Sequence, residues 1–443
     1  MIEFLKNASI AFIVLGVIIV IHELGHFLVA KLFKIKVETF SVGFGPRIIG
    51  FRYGDTDYRI SGFPLGGYVK MAGENPGESV TGAPNEFVSK PKWQRFLVAS
   101  AGPVMNIVLA IGLLTALFMH GTEVPEFAEG EAVVGNIEAK SAADIAGIQT
   151  GDRIVSIAGK DAPNWEEVEA RVMTNAGQPI PVTLNRSGRV IETSLTPEKR
   201  GKNEAGYVGM QPKVRATNII GYVTTPSPAA AAELQPGDEI VAVAGIGLKA
   251  SGHSVAELIQ SMSEATFPLT ILRNDETKEV KVTPILEGGR RIIGVGFAVP
   301  TILVKENLGG ALSRSFDKNV EYGTLIFQVL GKLVRREVSM KSVDGPIMIM
   351  KQTSEFYNLG FGPLLQLMAM ISLNLGLMNL LPIPILDGGV MLLLAVEGIM
   401  GQEMSMNFKE RIAQVSFVFL LTFMVFVLYN DVVKMLPSGQ PGP

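Results

Sequence analysis

Ile18-Ile19-Val20-Ile21-His22-Glu23-Leu24-Gly25-His26-Phe27-Leu28-Val29-Ala30 sets two histidines and a glutamate inside a run otherwise fit for hydrocarbon. On a helix, His22 and His26 are four residues apart and share a face, and Glu23 projects about 60 to 100° around from them. That is the arrangement of a zinc hydrolase, in which two imidazoles hold the metal and the carboxylate handles the proton of a water. From Ile10 to Phe33 the only other ionisable residue is Lys31. A bilayer core penalises such groups, so three together imply a compensating metal ion and a water-filled pocket.

The 443 residues are 47% hydrophobic with a net charge of only −3, which suits a membrane protein carrying soluble parts. No basic run stands out, so the charge pattern gives no footprint for nucleic acid. Cysteine is absent, which excludes disulfides and thiolate ligands and leaves His, Asp and Glu as metal donors.

Four segments are apolar enough to span: about Ala8 to Leu32, Phe96 to Met119, Leu364 to Leu386 and Ile412 to Leu428. The first runs past the length of a signal peptide's apolar core and lacks a small-x-small cleavage site after it, so it reads as retained. Lys34, Lys36, Arg47, Arg52, Arg59, Lys70, Lys90, Lys92 and Arg95 crowd the connector between the first two spans, and Lys409 and Arg411 precede the fourth. These basic residues place both connectors in the cytoplasm, and the termini and the segment from about Gly121 to Phe361 outside.

That external segment repeats itself. Ser141-Ala-Ala-Asp-Ile-Ala-Gly-Ile-Gln-Thr-Gly151-Asp152-Arg-Ile154-Val155 recurs as Ser227-Pro-Ala-Ala-Ala-Ala-Glu-Leu-Gln-Pro-Gly237-Asp238-Glu-Ile240-Val241. Each copy reads as a short Ala-rich helix, a Gly-Asp turn, an apolar strand ending near Gly159 or Gly245, a helix from Trp165 or Ser254, and a further strand. The block resembles the PDZ domain, which implies strand addition of an extended peptide beside a sheet edge; two such domains could equally act as a filter above the membrane. Farther on, Ala311 to Val338 carries an apolar stripe among basic residues, which fits an interfacial helix or a soluble helix packed on the second module.

A catalytic zinc takes three protein ligands and keeps a position for water. The best candidate for the third donor is Asp387, in Asn379-Leu-Leu-Pro382-Ile-Pro384-Ile-Leu386-Asp387-Gly388-Gly389, where two prolines and two glycines let the backbone open around a cavity; the alternative reading of Asp387 is a helix-cap carboxylate. His120 falls at the outer end of the second span, and Glu397 beyond the inner edge of the third. A straight third span from Leu364 would carry Asp387 about 34 Å down, against about 21 Å for His22 counted from Ala8. A bend or a later helix start must reconcile the two.

His22-Glu-Leu-Gly-His26 and Asn379-x-x-Pro-x-Pro-x-Leu-Asp-Gly388, on first and third spans with two PDZ-like blocks between the second and third, resemble the site-2 protease family of intramembrane zinc metalloproteases. Gly62-Phe-Pro-Leu-Gly66-Gly67-Tyr68-Val69-Lys-Met71 and Ala101-Gly102-Pro103-x-x-Asn106 also look like that family's segments. The resemblance implies Zn²⁺ on His22, His26 and Asp387, Glu23 as catalytic base, and cleavage within single-span membrane substrates already trimmed outside, such as an anti-sigma factor of the envelope stress response or signal-peptide remnants. It further implies a membrane-dipping β-hairpin, with Gly66, Gly67, Tyr68 and Val69 capturing an unwound substrate by strand addition and Asn379 holding its backbone.

The fold expected is therefore a polytopic α-helical membrane protein with four transmembrane helices, a membrane-associated β-hairpin region and an inserted tandem of α+β PDZ domains. Its parts are the first span at 1–33, the hairpin region at 34–95, the second span at 96–120 and PDZ domains at 121–221 and 222–302. An interfacial segment at 303–362, the third span at 363–391, a cytoplasmic loop at 392–411, the fourth span at 412–430 and a tail at 431–443 complete it. The expected location is a bacterial inner membrane, with PDZ domains in the periplasm. A rival function, a non-catalytic PDZ-bearing membrane receptor, predicts no metal; a zinc protease with its cleft outside the bilayer predicts the His-Glu motif beyond the apolar run.

Overall fold

The computed structural model describes residues 2–74, 81–162, 164–201, 204–215, 217–287, 289–335, 337–338, 340 and 343–435. Of the expected tail 431–443, all beyond 435 lies outside the described residues. Two units are distinguished: Met1–Thr122, Lys199–Ala205 and Val304–Pro443 form the first, and Glu123–Glu198 with Gly206–Leu303 the second.

Among the described residues four helical segments are long and apolar enough to cross a membrane: Ser9–Leu32, Lys92–His120, Phe361–Asn379 and Asn407–Met435. The helices of the first unit are α1 (Ile2–Leu32), α2 (Lys92–His120), α3 (Leu308–Val334), α4 (Pro346–Leu359), α5 (Phe361–Asn379), α6 (Asp387–Met400) and α7 (Met406–Met435). In lipid, apolar side chains gain little by leaving their surroundings, so helices associate where small residues let backbones approach. Gly25 of α1 lies against Ala101, where an added Cβ would stand 2.7 Å from that residue's carbonyl carbon. Gly376 of α5 meets α2 in the same way, an added Cβ falling 2.9 Å from the Pro103 oxygen. Thus α1 and α5 both pack closely on α2.

The third span differs from its expected form. Instead of running from Leu364 to Leu386, helix α5 starts at Phe361 and stops at Asn379. Pro382 and Pro384 cannot donate helical bonds, and the chain turns through Ile383 N–H to Leu381 O (2.7 Å) and Leu386 N–H to Ile383 O (2.8 Å). A separate helix, α6, then begins at Asp387. The mismatch in depth is resolved by this break, not by a later start.

Helix α7 leaves most of its surface uncovered, with Val415, Phe417, Val418 and Phe419 all exposed. Its two ends are tied by buried charge. Lys409 Nζ lies 2.6 Å from Glu397 of α6, and Asp431 accepts the N–H groups of Gly345 (2.8 Å), Ile347 (3.0 Å) and Met348 (3.2 Å). These amides at the start of α4 have no partner within the helix, and a carboxylate is favoured there. The apolar stripe expected from Ala311 falls on α3, which begins at Leu308; Leu312, Phe316 and Val320 of that stripe are exposed, and the helix buries Ala311, Ser315 and Asn319 instead. This face turns to α2, with Thr115 Oγ1 3.1 Å from Ser315 Oγ. Arg336, one of the basic residues beside the expected stripe, lies outside the described residues.

Between α1 and α2, strands β1 (Val37–Tyr53) and β2 (Thr56–Met71) pair antiparallel. Residues around Thr39–Val42 pair on one side with Asp57–Ile60 and on the other with Gly67–Lys70, so the two long strands bend into four short segments that lie across the sheet in the order 67–70, 39–42, 57–60 and 49–53. Gly66 takes φ +120° at the bend into the last of these, with the Phe44 ring filling the space of any side chain. Gly67–Met71 forms an outer edge, and among the described residues it pairs only with β1.

The second unit holds two separate cores. In one, the strand Arg153–Ile157 lies between Lys160–Asp161 and Ile180–Arg186, Arg189–Leu195 is outermost, and the helix Trp165–Thr174 buries Trp165 and Val168. In the other, Glu239–Val243 lies between Ile246–Gly247 and Phe267–Arg273, Glu276–Val282 is outermost, and the helix Val255–Ser261 buries Val255, Leu258 and Ile259. The strand order is the same in both, as the repeated sequence requires.

Each Gly-Asp turn is pinned alike. Arg186 donates to Asp152 through Nε and Nη2 (both 2.7 Å) and Arg273 to Asp238 (both 2.6 Å), while the Gln149 and Gln235 amides reach the same carboxylates at 2.8 Å. Burial opposes these charges, but the guanidinium and amide donors outweigh it and hold both carboxyls below the usual carboxylate range.

Candidate metal centre

Helix α1 presents His22 and His26 on the face turned to α2, and both are buried. Their Nε2 atoms are 3.2 Å apart. Asp387, in the first turn of α6, brings Oδ2 to 3.1 Å from His22 Nε2 and Oδ1 to 3.5 Å from His26 Nε2. Zinc bound tetrahedrally at about 2.0–2.2 Å from N and O donors sets neighbouring donors about 3.3 Å apart. The three observed separations bracket that spacing.

The chemistry of the donor set points the same way. His26 Nδ1 lies 2.8 Å from the Val98 carbonyl oxygen, an acceptor only, so Nδ1 carries the proton and Nε2 offers a lone pair. A buried lone pair facing a second imidazole and a carboxylate calls for a cation between them. Among the described residues this is the sole group of three or more His, Cys, Asp or Glu side chains able to share a metal ion. The alternatives weighed from sequence lie elsewhere: His120 ends α2, and Glu397 is enclosed with Lys409 and the Met404 N–H.

A cavity of about 280 Å³ opens on the three donors, lined also by Glu23, Tyr68, Val69 and Glu74. Gly67 lies against Glu23, an added Cβ falling 3.3 Å from the Glu23 Cγ. The outer edge of the hairpin therefore runs beside the catalytic-base candidate. Tyr68 stacks on Phe44 and is hydrogen-bonded by Arg59. Asn379, the last residue of α5, brings Nδ2 to 3.4 Å from His22 Nε2. Hence, of the residues singled out from sequence, His22, Glu23, His26, Asp387, Asn379 and Gly67 to Val69 fall around one place, whereas Gly66 lies against Phe44.

Two contributors had no assigned role at the sequence level. Gly102 leaves the room in which the imidazoles sit: a Cβ there would collide with His26 Nε2 and stand 2.7 and 2.8 Å from the Cε1 atoms of His26 and His22. Asn106 is wholly buried, with Nδ2 3.2 Å from His22 Nδ1. Both belong to the Ala101-Gly102-Pro103-x-x-Asn106 stretch, whose spacing puts Gly102 and Asn106 on one face of α2.

The family model for peptidase family M50 matches residues 10–423. The chain belongs to peptidase family M50. This family is that of the site-2 proteases. The chain is 31% identical to the regulator of sigma E protease of Haemophilus influenzae, across 98% of this chain and all of that one. It is also 31% identical to the regulator of sigma-E protease RseP of Escherichia coli K12, across 97% and 99%. A Neisseria meningitidis protein described as a zinc metalloprotease matches at 31% identity over 97% of this chain and the whole of that one. As an M50 peptidase with four membrane-crossing segments, the protein is a multi-pass zinc metalloprotease.

Proposed function

We propose that this protein cuts a peptide bond of a single-span membrane protein inside the bilayer, after the substrate's outer part has been trimmed. His22, His26 and Asp387 hold the zinc ion and Glu23 is the general base. The observation that carries this reading is the convergence within 4.8 Å of two Nε2 atoms on an apolar spanning helix and the Asp387 carboxylate of α6, facing a cavity.

When bound there, zinc polarises the scissile carbonyl and makes water a better nucleophile near neutral pH. Glu23 takes the proton of the attacking water and passes it to the leaving amine. A helical substrate hides its amides in its own hydrogen bonds, so it must unwind before attack. The Gly66-Gly67-Tyr68-Val69 edge supplies backbone partners for the unwound stretch, and Asn379, beside His22, orients its backbone. The relatives named for sigma E favour an anti-sigma factor in a bacterial inner membrane as the substrate.

The two repeated modules are read as PDZ domains at 121–221 and 222–302, on the periplasmic side with both termini. Their shared strand order supports that assignment. They bind exposed peptide ends or screen bulky substrates by size.

The test is Glu23→Gln in full-length protein reconstituted in liposomes with a single-span substrate. Zinc content is expected to stay at one per chain while cleavage falls to background; cleavage near the wild-type rate refutes the assignment of the base.

A further inference from the structure

We infer that Asn106 is a positioning residue that decides which nitrogen of His22 carries the proton. The inference rests on the ligand set proposed above, in which His22 offers Nε2. A neutral imidazole has one N–H and one lone pair, so Nε2 is a ligand only when Nδ1 is protonated. A buried Nδ1–H needs an acceptor. For His26 that acceptor is the Val98 carbonyl, at 2.8 Å.

For His22 the facing group is the Asn106 amide, with Nδ2 3.2 Å from His22 Nδ1. In that orientation Nδ2–H donates to Nδ1, the imidazole proton moves to Nε2, and His22 points an N–H at Asp387 instead of a lone pair at a metal. The same orientation leaves Asn106 Oδ1 buried without a hydrogen-bond partner. A buried unsatisfied oxygen costs about 1–3 kcal/mol. The oxygen and nitrogen of a primary amide occupy almost the same shape, so a half-turn about the terminal bond exchanges them with little movement of heavy atoms. After the turn, Oδ1 accepts from His22 Nδ1–H and Nε2 is freed toward Asp387, while Nδ2 takes the position in which the oxygen had no partner.

The backbone beneath this amide is fixed on its other side. Ser372 Oγ of α5 donates to the Asn106 carbonyl at 2.8 Å, and Gly376 packs where its Cβ would lie 3.2 Å from Asn106 Cβ. Asn106 thus stands at the junction of α1, α2 and α5 with its terminal amide aimed at His22. It touches neither cavity nor substrate and acts through the histidine. Groups that orient a metal-bound histidine in this way typically account for 10–100-fold in metal affinity.

The experiment uses the full chain in detergent, with zinc affinity read by competition against a chromophoric chelator. Asn106→Leu keeps the volume and removes the acceptor, and is expected to weaken zinc binding 10–100-fold. Asn106→Asp keeps an acceptor facing Nδ1–H and is expected to bind zinc as tightly as wild type. A packing role alone reverses the order, since a buried apolar side chain would be tolerated and a carboxylate would not. Leu at wild-type affinity, or Asp as weak as Leu, overturns the inference. Should Asn106→Leu not fold, ¹⁵N spectra of histidine-labelled, zinc-free wild type decide the matter. The chain has four histidines, and the His22 signals are those lost in His22→Ala. A protonated Nδ1 is expected, and a protonated Nε2 overturns the inference. If wild type binds no zinc, or His22→Ala binds it normally, the ligand set fails; if those controls hold and both Asn106 variants match wild type, only the role of Asn106 fails.

Discussion

Replacing Gly102 with alanine adds one methyl group and no charge, yet it tests the geometry of the whole centre. The new Cβ would stand 2.7 Å from His26 Cε1 and 2.8 Å from His22 Cε1, besides colliding with His26 Nε2. Ordinary carbon contact begins at about 3.5 Å, so both rings must retreat by roughly 0.7 Å or α2 must move away by as much. Retreat of α2 is opposed by Gly25 and Gly376, which already let α1 and α5 into contact with it. Zinc sites hold their donor distances to about 0.2 Å, several times less than this displacement. A loss of zinc affinity of at least about 100-fold is expected, equivalent to about 2.8 kcal/mol, with cleavage falling in proportion at limiting zinc. The assay is chelator competition on purified full-length protein, beside Gly112→Ala of the same helix, where an added Cβ meets nothing within 4 Å. Wild-type zinc affinity in Gly102→Ala refutes the reasoning, because the imidazoles would then not occupy the space beside Gly102.

Gly67→Ala places a Cβ 2.9 Å from the Ser41 oxygen and 3.3 Å from Glu23 Cγ, away from the metal donors. Cleavage is expected to drop about tenfold or more with zinc affinity unchanged; equal loss of both would contradict a role at the strand edge. Asp152→Asn removes the charge that Arg186 grips and is expected to destabilise its module by about 2 kcal/mol, below the 3–5 kcal/mol of a fully enclosed pair because Arg186 keeps some solvent. The folded carboxyl titrates below its unfolded value of about 3.9, so its contribution is complete above that pH and disappears as pH falls through the folded value. Hydrogen exchange over residues 153–186 should therefore separate variant from wild type fully at pH 7 and progressively less as the pH falls below the unfolded value; a gap that widens in acid reverses the sign and refutes the argument.

The His-Glu-Leu-Gly-His stretch was readable because a short local spacing fixes which side chains share a helical face, and its apolar flanks fix the depth. The repeat was equally open, since Ser141 to Val155 and Ser227 to Val241 carry one pattern of caps and turns. Asp387 could be chosen by elimination and by the prolines before it, but not placed in space. Composition shows that a helix must break near Pro382 and Pro384; it does not show that α5 ends at Asn379 or that the chain turns to begin α6 at Asp387. Gly102 and Asn106 were invisible as parts of the centre for a related reason. Their effect is exerted across a helix pair, and nothing in a single chain of letters reports which carbonyl or imidazole lies opposite a glycine.

The proposed donors are far apart in the polypeptide, with His22 and His26 on the first and Asp387 on the sixth of the seven helices among the described residues of the membrane unit. During synthesis the histidine pair enters the bilayer first and waits there while the repeated modules are translated. Three-donor capture of zinc is deferred until the break after Asn379 has been made and α6 has docked. On the proposed ligand set, a chain that stops before α6 holds two of the three donors and lacks the third.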